Sequence, residues 1–218
     1  MSELQLVIGN KNYSSWSLRP WLVLKQLHVE FEEIRIPLFT DNFKQQIRQY
    51  SEAEKVPILK TSELTVWDSL SICEYLAEQH PHLWPDHPAD RALARSAVAE
   101  MHSGFTALRH ELPMNCRAQQ RSLNYSDAAA ADLNRIQSLW QQCKSQSQQP
   151  GPWLFGRFGI IDAFFAPVVI RCNAYKIPLS ELAQGYLKTQ LANPDLQQWI
   201  DAGKAESEVI EEEEAGEA

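Results

Sequence analysis

The chain has 218 residues with a net charge of −8, and 44% of its residues are hydrophobic, the composition of an ordinary water-soluble domain or pair of domains. Seven glutamates between 206 and 218 carry all but one of the net negative charges, so the body is nearly neutral and has no basic footprint for nucleic acid. No apolar run reaches the ~20 residues needed to span a bilayer, the N-terminus has no signal-peptide pattern, and the charge-rich end is expected to be a disordered acidic tail.

Leu4-Gln5-Leu6-Val7-Ile8 predicts a buried strand closing at Gly9-Asn10. Leu18, Trp21, Leu22 and Leu24 then recur at helical spacing, with Pro20 expected in that helix's first turn. Tyr13, Ser14, Ser15 and Ser17 therefore lie in a strand-to-helix loop or at the helix start. There, serines either cap the helix or, with free backbone N–H groups and the positive end of the helix dipole, hold an anion. Phe31 to Ile36 alternates as a strand, so the first eighty residues open with a βαβ unit and a parallel pair. Phe39 to Tyr50 reads as a second, polar helix. Lys55–Lys60 and Leu64–Trp67 read as a hairpin, and Asp68-Ser69 starts a third helix ending near His80.

The segment 81–88 reads as a linker, and beyond it strand signals stop. Val98, Met101, Phe105, Leu108 and Leu112 form one long apolar stripe. Helices are expected over 128–143, 160–175, 179–191 and 196–202, the second of them apolar on every side and therefore central. The expected organisation is an α/β unit over 1–80 and an all-helical unit over 89–205, with the acidic tail from 206. The four cysteines are scattered without ligand spacing, and the histidines sit mostly in the linker. A metal site is therefore not expected, and the cysteine usage suits a reducing cytoplasm.

Four local motifs in this order resemble the cytosolic glutathione transferases. Ser14-Ser15-Trp16-Ser17-Leu18-Arg19 is similar to the serine motif of the zeta-like and tau-like classes, and Val56-Pro57 to the family's cis-proline. Asp68-Ser69 resembles its acidic–serine pair, and Gly159-Ile160-Ile161-Asp162-Ala163 the cap of its core helix. The resemblance implies a thioredoxin-like N-terminal domain, an all-α C-terminal domain, a homodimer, and glutathione as co-substrate without a metal. It also implies roles. Ser14, with Ser15 in reserve, would stabilise the glutathione thiolate. Ser69 with Asp68 would take the γ-glutamyl end, Val56 beside Pro57 would pair with the peptide backbone, and Lys55 and Lys44 would face the glycine carboxylate. The second substrate would lie among Tyr13, Trp16, Met101, His102, Phe105 and Arg109.

Three features depart from the family pattern. Trp16 stands where the zeta motif carries cysteine, Pro20 follows Arg19 in place of an aliphatic residue, and the Thr61-Ser62-Glu63 turn lacks a glycine. Conjugation of the thiolate to small electrophiles is the leading expectation. The alternatives are a zeta-like glutathione-dependent cis–trans isomerase, which the missing cysteine weakens, and a non-catalytic protein of the same fold resembling the stringent starvation protein A.

Overall fold

In the computed structural model, residues 4–217 are described. Four strands form one sheet: β1 (Gln5–Ile8), β2 (Glu32–Arg35), β3 (Ile58–Lys60) and β4 (Thr65–Trp67). Their spatial order is β2-β1-β3-β4, with β1 parallel to β2 and antiparallel to β3, and β3 antiparallel to β4. The parallel pair requires a crossover, which α1 (Ser15–Gln26) supplies. The β3–β4 turn manages without glycine because Thr61 Oγ1 accepts the backbone N–H groups of Glu63 and Leu64 at 3.1 and 3.0 Å.

Each sheet face buries a different helix set. On one side Val7, Ile36 and Ile58 pack with Ile47 of α2 (Phe43–Ile47). On the other, Leu6, Ile8 and Leu59 join Leu18, Leu22 and Ile72 of α1 and α3 (Ser69–Gln79) in the main core. That core runs on into the helical part: α4 (Pro88–Ser103), α5 (Thr106–Glu111), α6 (Asp127–Gln146), α7 (Ile160–Ala174), α8 (Glu181–Leu191) and α9 (Pro194–Ala205). As its composition predicts, α7 is buried almost throughout, and α1 packs against it, α3 and α9. This is the thioredoxin-like sheet domain and helical domain of the glutathione transferase fold.

Asp162 anchors α7. Its Oδ2 accepts the Gly159 N–H at 2.9 Å, and its Oδ1 accepts the Tyr186 hydroxyl at 2.9 Å and the Leu154 N–H at 3.3 Å. Gly159 has no side chain to return the bond, so only the acidic half of a capping box exists.

Four expectations need correction. The first helix starts at Ser15, so Pro20 falls in its second turn and leaves the Trp16 carbonyl without its intrahelical partner. Phe39 to Tyr50 is not one helix. Phe39 holds φ 57°, Thr40 Oγ1 bonds Pro37 O and Asn42 Oδ1, and the resulting turn delays α2 to Phe43.

The long apolar stripe is two helices. Gly104 stops α4 where a Cβ would lie 2.9 Å from the Glu100 carbonyl oxygen, and Phe105 follows with φ 60°. Arg109 then donates back to the carbonyls of Gly104, at 2.9 Å, and Met101, capping the broken end.

The acidic tail is placed and bonded rather than frayed. Both carboxylate oxygens of Glu206 accept consecutive N–H groups, Lys11 at 2.8 Å and Asn12 at 3.0 Å. Glu208 pairs with Arg35 at 2.8 Å, Glu214 with Arg121 at 2.7 Å, and Ser122 and Glu217 exchange two backbone bonds. Its glutamates find basic partners that are distant in sequence, which a local charge count does not reveal.

Candidate active site

The turn from β1 into α1 places Tyr13, Ser14, Ser15 and Trp16 on the wall of a ≈ 1130 Å³ cavity between the sheet part and the helices. The Ser14 hydroxyl, 5% exposed, donates to Ser17 Oγ at 2.7 Å, and Ser17 Oγ in turn accepts the Gly9 N–H at 3.1 Å. Neither serine caps the helix by a side-chain bond, because Ser14 at the N-cap position is turned to Ser17 instead. Ser15, 7% exposed and the first helical residue, also lines the cavity.

The remaining candidates of the sheet part converge on the same space. Lys44, Lys55, Val56, Pro57, Asp68 and Ser69 all line it, and the Val56–Pro57 bond is cis. Asp68 holds φ 74°, a region non-glycine residues rarely adopt. From there its Oδ1 accepts the Leu70 and Ser71 N–H groups at 2.8 and 3.2 Å. The N–H of buried Ser69, one of the orphan donors of the first helical turn, is not taken by that cap.

The helical wall carries His102, Arg109 and Arg171. His102 Nε2 lies 3.3 Å from Asp68 Oδ2. Burial lowers the His102 pKa, the cations Arg19 and Arg109 add to that, and Asp68 only partly opposes it, so the imidazole is neutral at pH 7. Arg19 is fully buried, with Trp16 and Phe164 rings 4.2 and 4.6 Å from its guanidinium carbon, and Nη1 reaches Ser69 Oγ at 3.5 Å. Arg109 sits 4.7 Å over the same Trp16 ring. Burial and its two arginine neighbours depress the Arg19 pKa, a sign that positive charge is crowded behind this wall.

Tyr13 lines the cavity, but its hydroxyl is engaged elsewhere. It donates to Glu214 Oε1 at 2.6 Å and accepts from Ile210 N at 3.2 Å and from Arg117. Burial and the Glu214 bond raise its pKa. That leaves the serines as the hydroxyls free to serve a ligand at the α1 end.

Two candidates fall outside the site. Met101 is fully buried in the core, and Phe105 is turned into the core by the break at Gly104. Among the cavity residues that escaped the sequence reading, two lie beyond the sheet part. Arg171 lies on a helix that reads as uniformly apolar, where a lone arginine was the available signal. Glu213 lies in the segment expected to be disordered, where nothing local distinguishes it from six other glutamates.

The family profile described as "Glutathione S-transferase, N-terminal domain" matches residues 13–79, the stretch that carries the serines, the cis-proline and Asp68-Ser69. Maleylacetoacetate isomerase of Rattus norvegicus is 27% identical over 173 residues, 76% of each chain. The theta class glutathione S-transferase of Xanthomonas axonopodis pv. citri, solved with glutathione bound, superposes with a TM-score of 0.66 at 25% identity, over 92% of this chain and 98% of that one. Residues 13–79 thus match that N-terminal domain, and the whole chain shares the fold of the solved glutathione S-transferase. A glutathione transferase homolog from Burkholderia gl BGR1, also with bound glutathione, shares the fold at a TM-score of 0.70 and 24% identity, covering 94% of this chain and all of that one. The described residues of this chain include no group of three or more His, Cys, Asp or Glu side chains placed to hold a metal ion. No described helix is long and apolar enough to cross a membrane.

Proposed function

We propose that this chain is a glutathione-dependent enzyme of the glutathione S-transferase family that binds the tripeptide along the sheet side of the cavity and activates its thiol with Ser14. The observation that carries the reading is the convergence in one cavity of the α1 and α3 N-termini, the cis-proline segment and two lysines that have no ion pair among the described residues. The Ser69 N–H and hydroxyl suit the γ-glutamyl carboxylate, and Asp68 its amino group. Lys55 and Lys44 suit the glycine carboxylate, with the Val56 backbone pairing in between. The sulfur then falls between Ser14 and the Trp16–Arg109 wall.

A thiol of pKa ~8.5 is mostly protonated at neutral pH, so ionising it is the first catalytic task. Hydroxyl protons rotate to suit their partners. When Ser17 donates to Ser14, the chain Gly9 N–H, Ser17, Ser14 is polarised in one direction and the Ser14 proton is free for the sulfur. Arg19, Arg109 and Arg171 add a positive field that also favours thiolate. The chain's own cysteines do not compete, because burial pushes Cys116, Cys143 and Cys172 up to about 12 and Cys73 further.

The thiolate has two fates. In conjugation it forms a C–S bond to the electrophilic carbon, either as that carbon's bond to a leaving anion breaks or as an activated double bond opens and takes up a proton from water, and the product leaves as a thioether. In isomerisation it adds to an activated cis double bond, the new single bond rotates, and expulsion of the thiolate gives the trans product and regenerates glutathione. The similarity to maleylacetoacetate isomerase over most of both chains favours keeping the second reading beside the first. A thiol count during turnover separates them: conjugation consumes one glutathione per product, isomerisation none. Absence of calorimetric binding at millimolar glutathione would refute both.

The oligomer proposed is a two-fold dimer. Trp67 on the edge strand β4 is 57% exposed and Phe39 at the cavity mouth 78%, apolar surface that a second subunit would cover. A sedimentation mass near 50 kDa is expected, twice the 24.9 kDa chain, and a mass of one chain would contradict it.

A further inference from the structure

The turn that delivers Ser14 is closed from within but held from outside. Asn10 O accepts the Tyr13 and Ser14 N–H groups at 3.2 and 2.8 Å, which closes it. All four backbone groups of its two central residues, Lys11 and Asn12, are bonded to the helical part or the tail. Glu206 accepts both N–H groups, at 2.8 and 3.0 Å. The Lys11 carbonyl accepts the Trp199 indole N–H of α9 at 2.8 Å and the Cys116 thiol at 3.5 Å, and the Asn12 carbonyl accepts the Cys116 N–H at 3.2 Å.

Two buried amides complete the hold. Asn12, fully buried, donates Nδ2 to Asn115 Oδ1 at 3.1 Å and accepts the Arg117 N–H on its own Oδ1 at 3.0 Å. Asn115, also fully buried, lies between α5 and α6. Its Oδ1 shares the Arg117 N–H at 3.0 Å and accepts the Ala118 N–H at 3.2 Å, and its Nδ2 donates to the Glu213 carbonyl at 3.4 Å. An apolar pair would fill the same space with less to lose, but only directional bonds fix the two segments in one register. Neither asparagine is among the described residues that line the cavity, and Ser14, which does line it, stands two residues beyond Asn12.

We infer that the Asn12–Asn115 pair, backed by the Trp199 indole, positions the Ser14 hydroxyl against the incoming sulfur, so that the helical part aims the serine which the sheet part carries. All three are positioning residues, acting on the sulfur only through Ser14. Hydrogen bonds weaken steeply once bent or stretched. A displacement of about 1 Å caused by a change remote from the chemistry can cost on the order of a hundredfold in rate. A small tilt of the turn thus weakens the bond to the thiolate while the groups that hold the rest of the tripeptide stay where they are. The inference rests on the glutathione reading above.

The test is a double-mutant cycle on the thiol pKa of glutathione bound to the intact chain, read by thiolate absorbance. In Asn115→Ala that pKa should rise by about half a unit to one unit, a part of the roughly one to two units that losing a hydrogen bond to a charged sulfur corresponds to. Binding of S-methylglutathione, which has no thiol to ionise, should stay nearly unchanged. In the Ser14→Ala background the same substitution should shift the pKa no further, since the hydroxyl it acts through is gone. Equal shifts in both backgrounds, or none in the chain that keeps Ser14, would overturn the inference and leave the glutathione reading intact. Should Asn115→Ala fail to fold, Trp199→Phe, which deletes the bond to the Lys11 carbonyl and keeps a ring in the core, takes its place in the cycle with the same two outcomes. Absence of S-methylglutathione binding by the unaltered chain, or an unshifted pKa in Ser14→Ala alone, would sink the reading and the inference together.

Discussion

Ser14 acts through its neighbours. Its oxygen is tied to Ser17, and Ser17 is the acceptor that satisfies the buried Gly9 N–H. Removing the Ser17 hydroxyl does two separable things. It strands that N–H, which costs about 1–3 kcal/mol of stability, and it removes the polarising link behind Ser14, a cooperative contribution of roughly 10–30% per bond. Ser17→Ala should therefore lower the denaturation midpoint and raise the bound thiol pKa by only a few tenths of a unit, about 0.1–0.7 at 1.36 kcal/mol per unit. Denaturant titration and thiolate absorbance read the two effects independently. A full loss of thiolate in Ser17→Ala would mean that Ser17 itself, rather than Ser14, faces the sulfur. Local sequence offered three serines at the helix start, and only the family resemblance put Ser14 ahead of Ser15, since a physical ranking depends on which hydroxyl already has a partner.

At the scale of elements, alternation and helical spacing located the four strands and the helices flanking them. Asp68-Ser69 at the start of α3 was legible because capping chemistry is local. What local pattern could not show was a break or a long-range partner. Val98 to Leu112 keeps its apolar spacing straight through Gly104 and so reads as one helix, whereas Met101 within α4 and Phe105 at the break are both buried in the core. Seven glutamates in thirteen residues look solvated, yet Glu206 closes on the loop that carries the serines. Close packing reinforces that clamp: at Gly203, the end of α9, a Cβ would lie 3.0 Å from the Asn12 nitrogen. Glu206→Ala should leave two loop N–H groups without acceptors and loosen the turn. The expected result is faster hydrogen exchange at Lys11 to Ser14 and a stability loss of about 1–3 kcal/mol. Unchanged exchange in that loop would show that the tail rides on the surface without holding it.

Across the whole molecule, α7 joins the two parts, and its anchor makes stability depend on pH. Burial pushes the Asp162 carboxyl up from 3.8 to about 7, outweighing the bonds from Tyr186, Gly159 and Leu154 that pull it down. Between those two values the folded chain keeps a proton that the unfolded chain has lost, so this group's contribution falls as pH rises through the window and is level above it. The stability advantage of the unaltered chain over Asp162→Asn should accordingly be larger at pH 5 than at pH 8. An advantage that instead grows with pH would mean that the carboxylate is ionised in the fold.

The same assembly brings the serines of one part against the arginines of the other, and the thiolate is where they act together. A hydrogen bond to a charged sulfur contributes about 1.5–3 kcal/mol, which corresponds to roughly one to two pKa units. The measurement is the thiolate absorbance of bound glutathione, titrated against pH in the unaltered chain, Ser14→Ala and Ser15→Ala. The thiol pKa should rise by about one to two units in Ser14→Ala with glutathione affinity nearly unchanged, and should stay within a few tenths in Ser15→Ala. An unshifted pKa in Ser14→Ala, with the rise in Ser15→Ala instead, would contradict the assignment of the thiolate to Ser14.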